Sequence, residues 1–447
     1  MEKQDSFLRS LFSIAIPVAL QSLLQSSFSI VDQIMVGQMG EVMIVGAGLA
    51  GKFASLYSVL LSAIAAVAGI LISQNIGKKD KDGVSRNFYL NTGIALGLAV
   101  LFIALCEIIP DTIMGLYSTE AEVRDCAVDY LRIVAVGFVP VCGSLMLSTI
   151  LRCKEKATVP LYATISTAAA NTLLNYVLIF GKFGFPALGV KGAALATIIA
   201  QYVGFFVILG YSVWYFSGKR DSLPFRLGVT KSAAKEYLGI LAPIIICEFM
   251  WSLGENVYAA IYGRIGTNDC AAMTLIGPVI MLFMGLLSGI SQAAGIIIGK
   301  DLGAEKFDDA YRNSKKMMLY GFIGSLILSV LVISLGGFYV KIYNVDDEVK
   351  KIGYHLLIAF AVIAPVKVQN MITGGGIIRS GGKTKYLMVI DLVGTWVFGV
   401  PLGLITAFVF HLPITPVYFI LSLEECVRLA MVFFVFRSRK WMVKIEN

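Results

Sequence analysis

Runs of twenty or more predominantly apolar residues recur along this whole 447-residue chain, and an α-helix of about that length crosses a bilayer core roughly 30 Å thick. Lipid offers no water to the backbone, so each run must satisfy its own hydrogen bonds as a helix. The runs fall near 11–36, 43–73, 88–110, 127–151, 158–181 and 189–216, then near 237–262, 270–299, 314–340, 353–378, 386–409 and 413–437. The first carries Gln21, Gln25 and Asp32, which suits a spanning helix better than a cleaved signal peptide. Charged residues make up 15% of the chain, against about 25% in soluble proteins. The sequence predicts an all-α integral membrane protein of twelve transmembrane helices, with no separate soluble domain.

The net charge of +8 lies in short loops and not on one amphipathic surface, which points to topology and away from nucleic acid. Lys78, Lys79, Lys81 and Arg86 form one basic loop; Arg152, Lys154 and Lys156 another; Lys219, Arg220, Arg226, Lys231 and Lys235 a third. The series continues through Lys300 to Lys316, Arg379 to Lys385, and Arg437 to Lys444, while loops holding Asp111, Glu120 and Glu122, or Asp346, Asp347 and Glu348, are acidic or mixed. By the positive-inside rule both termini are cytoplasmic, in a multi-pass protein of the plasma (inner) membrane. Seven cysteines without a CxxC pair and two histidines give neither a disulfide framework nor a zinc site. The chain has no phosphate-binding GxxxxGK[ST] loop, so no cofactor is expected and the energy for movement comes from an ion gradient or from downhill flow. Nor does it have an intramembrane histidine pair or nucleophile motif, so an enzyme is not expected. The chain is expected to act as a monomer within the lipid bilayer.

A shift of 226 residues superimposes Pro17 on Pro243, Gly51 on Gly277 and Tyr117 on Tyr343. The match is densest where LLSAIAAVAGILISQNIG, ending at Gly77, faces LLSGISQAAGIIIGKDLG, ending at Gly303; Arg86 and Asn87 then face Arg312 and Asn313. Glycines and a polar loop pair are not produced by hydrophobicity alone. Six spans per half is an even number, so both halves enter from the same side as parallel repeats with a central cavity expected between them. The expected division is an N-lobe over 1–217, a cytoplasmic linker over 218–236 and a C-lobe over 237–447.

Ionisable side chains inside a membrane cost about 2.5–3.5 kcal/mol on insertion scales and are functional candidates by default. Gln21, Gln25, Ser29 and Asp32 share one face of the first span, where Asp32 either binds a proton or Na⁺ or makes a structural hydrogen bond. Asn171 and Asn175, four apart on the fifth span, either complete a polar nest with Asp32 or join helices, and Thr197 on the sixth adds a hydroxyl. On the seventh span Glu248 and Glu255 lie seven apart with Ser252 between them, a pair that attracts cations or protons. Lys367 on the tenth span is a candidate counter-ion for either glutamate, and Asp391 on the eleventh is a cavity acid or a helix-end group. Glu424, Glu425 and Arg428 have intrahelical salt-bridge spacing. Gly374, Gly375 and Gly376 read as a turn or a close helix contact at a helix end.

The stretches IAIPVALQSLLQSSFSIVDQIMVGQMG, AAANTLLNYVLIFGKFGFPALGVKGAALAT and FMWSLGENVYAAIYGRIGT resemble the multidrug and toxic compound extrusion family over essentially the full chain. The pattern VDxxMVG followed by LNYxLIFG carries the likeness, and RSRKWMVK is similar to the ending of bacterial members. The resemblance implies two six-helix lobes in a V-shaped arrangement and H⁺- or Na⁺-driven antiport of amphipathic, often cationic, organic small molecules. It places Asp32 and Asn171 in an N-lobe cation and proton site. Asn175 stands where some members carry aspartate, and Val368 where one branch carries an acid, so those carboxylates are not carried over. The alternative within the wider superfamily is a flippase for lipid-linked oligosaccharides, whose pyrophosphate would need more intramembrane cations than Lys367.

Overall fold

Every apolar run is helical in the computed structural model. The structure describes residues 2–36, 41–218, 222–225, 231–343 and 345–445, with the side chains of 2–6, 29–34, 36, 41 and 231–233 outside the described set. The first half of the chain gives α1 (Glu2–Val36), α2 (Glu41–Lys78), α3 (Lys81–Ile108), α4 (Pro110–Gly115), α5 (Ala121–Ala135), α6 (Phe138–Cys153), α7 (Thr158–Phe180) and α8 (Gly189–Phe216). The second gives α9 (Lys231–Ile265), α10 (Thr267–Gly303), α11 (Phe307–Lys341), α12 (Asp347–Asn370), α13 (Thr384–Leu392), α14 (Val400–Leu404), α15 (Ile414–Ser422) and α16 (Glu424–Ser438). No strand occurs among the described residues.

Ten helical stretches among the described residues are long and apolar enough to cross a membrane, and α5 with α6, bent by 46°, pass the same test taken together as one broken span. The twelfth expected span is α15 with α16, broken at Leu423 and carrying Glu424, Glu425 and Arg428. The twelve-helix layout read from the sequence therefore holds. α2, with 38 residues, reaches about 57 Å at 1.5 Å per residue, well beyond the hydrocarbon core.

The repeat is visible in the backbone. Lys79 and Glu305, 226 residues apart, both adopt the left-handed conformation, with φ of 61° and 60°. Each closes the same tight turn: the Lys79 amide donates to Ile76 O at 3.1 Å and the Glu305 amide to Leu302 O at 3.0 Å. Asp80 then caps α3 by accepting from the Gly83 amide at 2.9 Å.

Packing groups the chain into two units, one of Leu20–Ile72 and Asp80–Val229 (the N-unit), the other of Met1–Ala19, Ser73–Lys79 and Thr230–Asn447 (the C-unit). Of the expected linker 218–236, residues 219–221 and 226–230 lie outside the described residues. In the N-unit, α7 packs along α8, and Gly192 and Gly204 let the backbones approach, since a Cβ there would run into Leu178 O and the Thr167 side chain. Tyr57, fully buried, donates to Phe138 O at 2.8 Å and packs at a tilt against the Phe102 and Phe138 rings.

In the C-unit the last turns of α2 and α10 cross reciprocally. A Cβ on Gly77 would strike the Lys300 carbonyl, and a Cβ on Gly303 the Gln74 carbonyl; the two glycines and the two carbonyls are each repeat partners. Three π-helical segments, Met371–Ile378, Val393–Gly399 and Ile405–Val409, interrupt the later helices. The Gly374–Gly376 run lies inside the first of them and not at a helix end, because the helix continues to Ser380. It does make the close contact: a Cβ on Gly376 would meet Ser291 O of α10.

Candidate functional site

In the N-unit, Asp32 sits in α1, but its side chain lies outside the described residues. Gln25 is exposed. Asn175, fully buried, donates to Asn171 Oδ1 at 3.2 Å; Asn171 donates to Thr197 Oγ1 at 3.3 Å; and Thr197 donates to Ala193 O of its own helix at 3.0 Å. An amide–amide–hydroxyl chain thus joins α7 to α8. Gln21 goes elsewhere. It donates to Thr164 Oγ1 at 2.9 Å and accepts from Arg152 at 2.7 Å. Arg152 read as a loop residue because it opens the basic cluster Arg152–Lys156, but it belongs to the last turn of α6 and points to α1.

The C-unit holds a charge cluster whose centre is Arg428 on α16. Its guanidinium lies 3.4 Å from Glu424, 3.9 Å from Glu425 and 3.8 Å from Asp391 of α13, and it donates to Thr395 in the second π-helical segment. Lys367 of α12 lies 3.7 Å from Glu425, and so pairs with the last span and with neither Glu248 nor Glu255. Asn370, one turn on, donates to the Glu425 carboxylate at 2.7 Å, and Tyr258 of α9 donates to Glu424. The Cys247 thiol donates to Asp391. Glu248 is half-buried against Arg379 at 3.4 Å, while Glu255 is exposed. The two glutamates therefore share a helix but not an environment.

Local backbone makes the cluster possible. Gly394 and Gly399 are five apart in the π-helical segment, one i→i+5 step. A Cβ on Gly394 would strike the Arg428 side chain, and one on Gly399 would strike Glu424 and the Tyr258 hydroxyl. The glycines are the space in which the ion pairs sit. A small cleft lined by Asn370, Gly375, Arg379, Asp391 and Arg428 opens beside them, and its polar rim gives a few water molecules the partners they need.

Within contact distance, the cluster sets three carboxylates, Glu424, Glu425 and Asp391, against two cations, Arg428 and Lys367. Glu424, Glu425 and Arg428 are all buried, and a buried charge without a partner is costly. One more positive charge, delivered as a proton or a bound cation, neutralises the excess. Among the described residues no three His, Cys, Asp or Glu side chains converge to hold a metal ion. Sequence spacing gave the Glu424–Arg428 pair; that both reach other helices had no signal except the density of charge in an otherwise apolar span.

The sequence model of the MatE family matches residues 17–177 and 243–405, two segments that begin on the repeat-related prolines Pro17 and Pro243. A protein of Thermotoga maritima called probable multidrug resistance protein NorM is 24% identical over 98% of this chain and 94% of its own length. A Bacillus thuringiensis protein of the same description is 26% identical over 91% of this chain and 90% of its own. Among solved structures, a MATE in complex with MaL6 superimposes with a TM-score of 0.87 at 18% identity, covering 96% of this chain and 95% of that one.

Proposed function

Because the chain belongs to the MatE family of membrane transporters, we propose that it is a cation-coupled antiporter that exports amphipathic, often cationic, organic compounds by alternating access. The observation that carries this reading is the excess carboxylate in the C-unit cluster. A site short of one positive charge accepts a proton or an organic cation but not both, since the second would reverse the imbalance. Mutually exclusive occupancy is what exchange requires. The names of the bacterial relatives support organic drugs as the cargo.

Glu424 and Asp391 take the exchangeable charge in this scheme, with Arg428 and Lys367 as fixed counter-ions. Glu248 and the exposed Glu255 and Gln25 present polarity to the cargo. Asp32 with Asn171, Asn175 and Thr197 forms the second coupling site, for H⁺ or Na⁺. The lobes are 1–217 and 237–447 about the linker 218–236, acting as a monomer in the plasma membrane with both termini cytoplasmic. An anionic lipid-linked cargo fits a negative cluster poorly.

Reconstitution in liposomes loaded with a fluorescent organic cation tests the proposal. Efflux should follow an imposed pH gradient or an imposed Na⁺ gradient, and should fall at least tenfold, about 1.4 kcal/mol, in Glu424→Gln or Asp32→Asn. Absence of movement under both gradients would overturn it in favour of the flippase.

A further inference from the structure

Residues Arg439–Ile445 follow α16 as an irregular tail, yet the tail is bound along its length within the C-unit. Trp441 is fully buried; its indole donates to Phe436 O at 3.1 Å and stacks on the Phe436 ring, which stacks in turn on Tyr311 of α11. The tail backbone lies on Gly381, where a Cβ would strike Trp441 O, and Ile445 packs on Gly382. Arg439 covers the Tyr311 ring at 4.2 Å and pairs with Asp308 at 3.6 Å, and Lys444 pairs with Glu305.

The grip centres on Gln74, in the last turn of α2 and 1% exposed. Its amide donates to Ser380 O at 2.9 Å and to Val443 O at 3.2 Å, and its oxygen accepts from the Ile445 amide at 2.8 Å. Lys78 donates to Ile445 O. Gln74 is also the residue whose carbonyl receives Gly303 at the α2–α10 crossing. One side of this residue therefore registers α2 on α10, and the other is held by the C-terminus.

We propose that Arg439–Ile445 is a latch that fixes the last turn of α2 against α10, so that a transport step that displaces α2 must first release the tail. The latch is a regulatory device distinct from the charge cluster. Its contribution to turnover rests on the transport reading, but its existence does not.

Hydrogen–deuterium exchange on the full-length protein tests it. In the wild type, the Ile445 amide, which donates to Gln74, and the amides of 73–79 should both be protected. Gln74→Ala removes two hydrogen bonds to the tail and one to Ser380, and should speed exchange in both segments about tenfold or more, leaving peptides from α7 and α8 unchanged. Trp441→Ala should do the same from the other end, with Trp441→Phe, which keeps a stacking ring, close to wild type. A wild-type Ile445 amide that exchanges as in a free peptide, or a Gln74→Ala protein in which Ile445 loosens while 73–79 stays protected, would overturn the latch. In liposomes, Gln74→Ala should change the turnover rate at unchanged apparent affinity, and an unchanged turnover would overturn its part in transport. A wild type that moves no organic cation would instead count against the antiport reading, and exchange alone would then decide the latch.

Discussion

Arg428 is the hub of the C-unit charge cluster. It is buried and shared among Glu424, Glu425, Asp391 and Thr395, so its removal strands several carboxylates at once. Breaking a buried ion pair from one side costs about 3–5 kcal/mol. Arg428→Met should therefore lower thermal stability in detergent by that order, whereas Glu255→Gln, at an exposed position, should melt within about 0.5 kcal/mol of wild type. A melting point for Arg428→Met equal to that of Glu255→Gln would mean that the cluster is solvated and has no charge excess to exchange. The sequence made part of this visible. Glu424 and Arg428 are one helical turn apart, and Asn171 and the buried Asn175 likewise, because spacing along one helix is local information. The pairing of Lys367 with Glu425 was not visible, since it depends on which faces of α12 and α16 meet, and two glutamates on α9 offered equally plausible partners.

Among the elements, the α2–α10 crossing separates glycines that packing requires from glycines it does not. Gly77 and Gly303 each face a carbonyl of the opposite helix, whereas Gly51 and Gly277, also repeat partners, have open space where a Cβ would stand. Alanine at 77 or 303 should destabilise by about 1–3 kcal/mol through overpacking. Gly51→Ala and Gly277→Ala should be neutral or stabilising, since alanine is favoured over glycine in a helix interior by about 1 kcal/mol. Thermal melts of the four single variants check this, and equal losses at all four would remove the crossing as a special contact. The tail is the element least legible beforehand: RSRKWMVK has neither helical nor strand period, and its structure comes from partners far away in the chain, Gln74 above all. Its outer contact carries a pH dependence. Lys444 holds the Glu305 carboxyl below its usual value of 4.5 by hydrogen bonding and charge. A carboxyl with a depressed pKa stabilises the bound form above the ordinary glutamate value and loses that contribution as pH falls through the folded-state value. Exchange of the Ile445 amide, corrected for intrinsic rate, should therefore accelerate modestly below pH 4.5, and the change should shrink in high salt because the pair is exposed.

For the whole molecule, the apolar runs and the 226-residue repeat were enough to set the helix order, because membrane crossing is fixed by length and hydropathy. They did not show that crossings differ in kind: α5 and α6 are separate helices bent by 46°, and the last crossing breaks at Leu423. These breaks decide topology. If α5 with α6 crosses once, the basic turn at Lys154–Lys156 lies on the same side as Lys78–Lys81, in keeping with the positive-inside rule. If each crossed separately, every later loop would change sides and the basic loops of the two halves would face opposite compartments, which a parallel repeat forbids. Reporter fusions distinguish the two. Alkaline phosphatase joined after Ser118 should be active and joined after Lys156 inactive, while a fluorescent protein after the C-terminus should fold and fluoresce on the cytoplasmic side. Activity after Lys156 would place α5 and α6 as two crossings and break the equivalence of Lys79 with Glu305. Inactivity there, with fluorescence at the C-terminus, places both repeat turns and the proposed latch on the cytoplasmic face, the side from which an exporter receives its cargo.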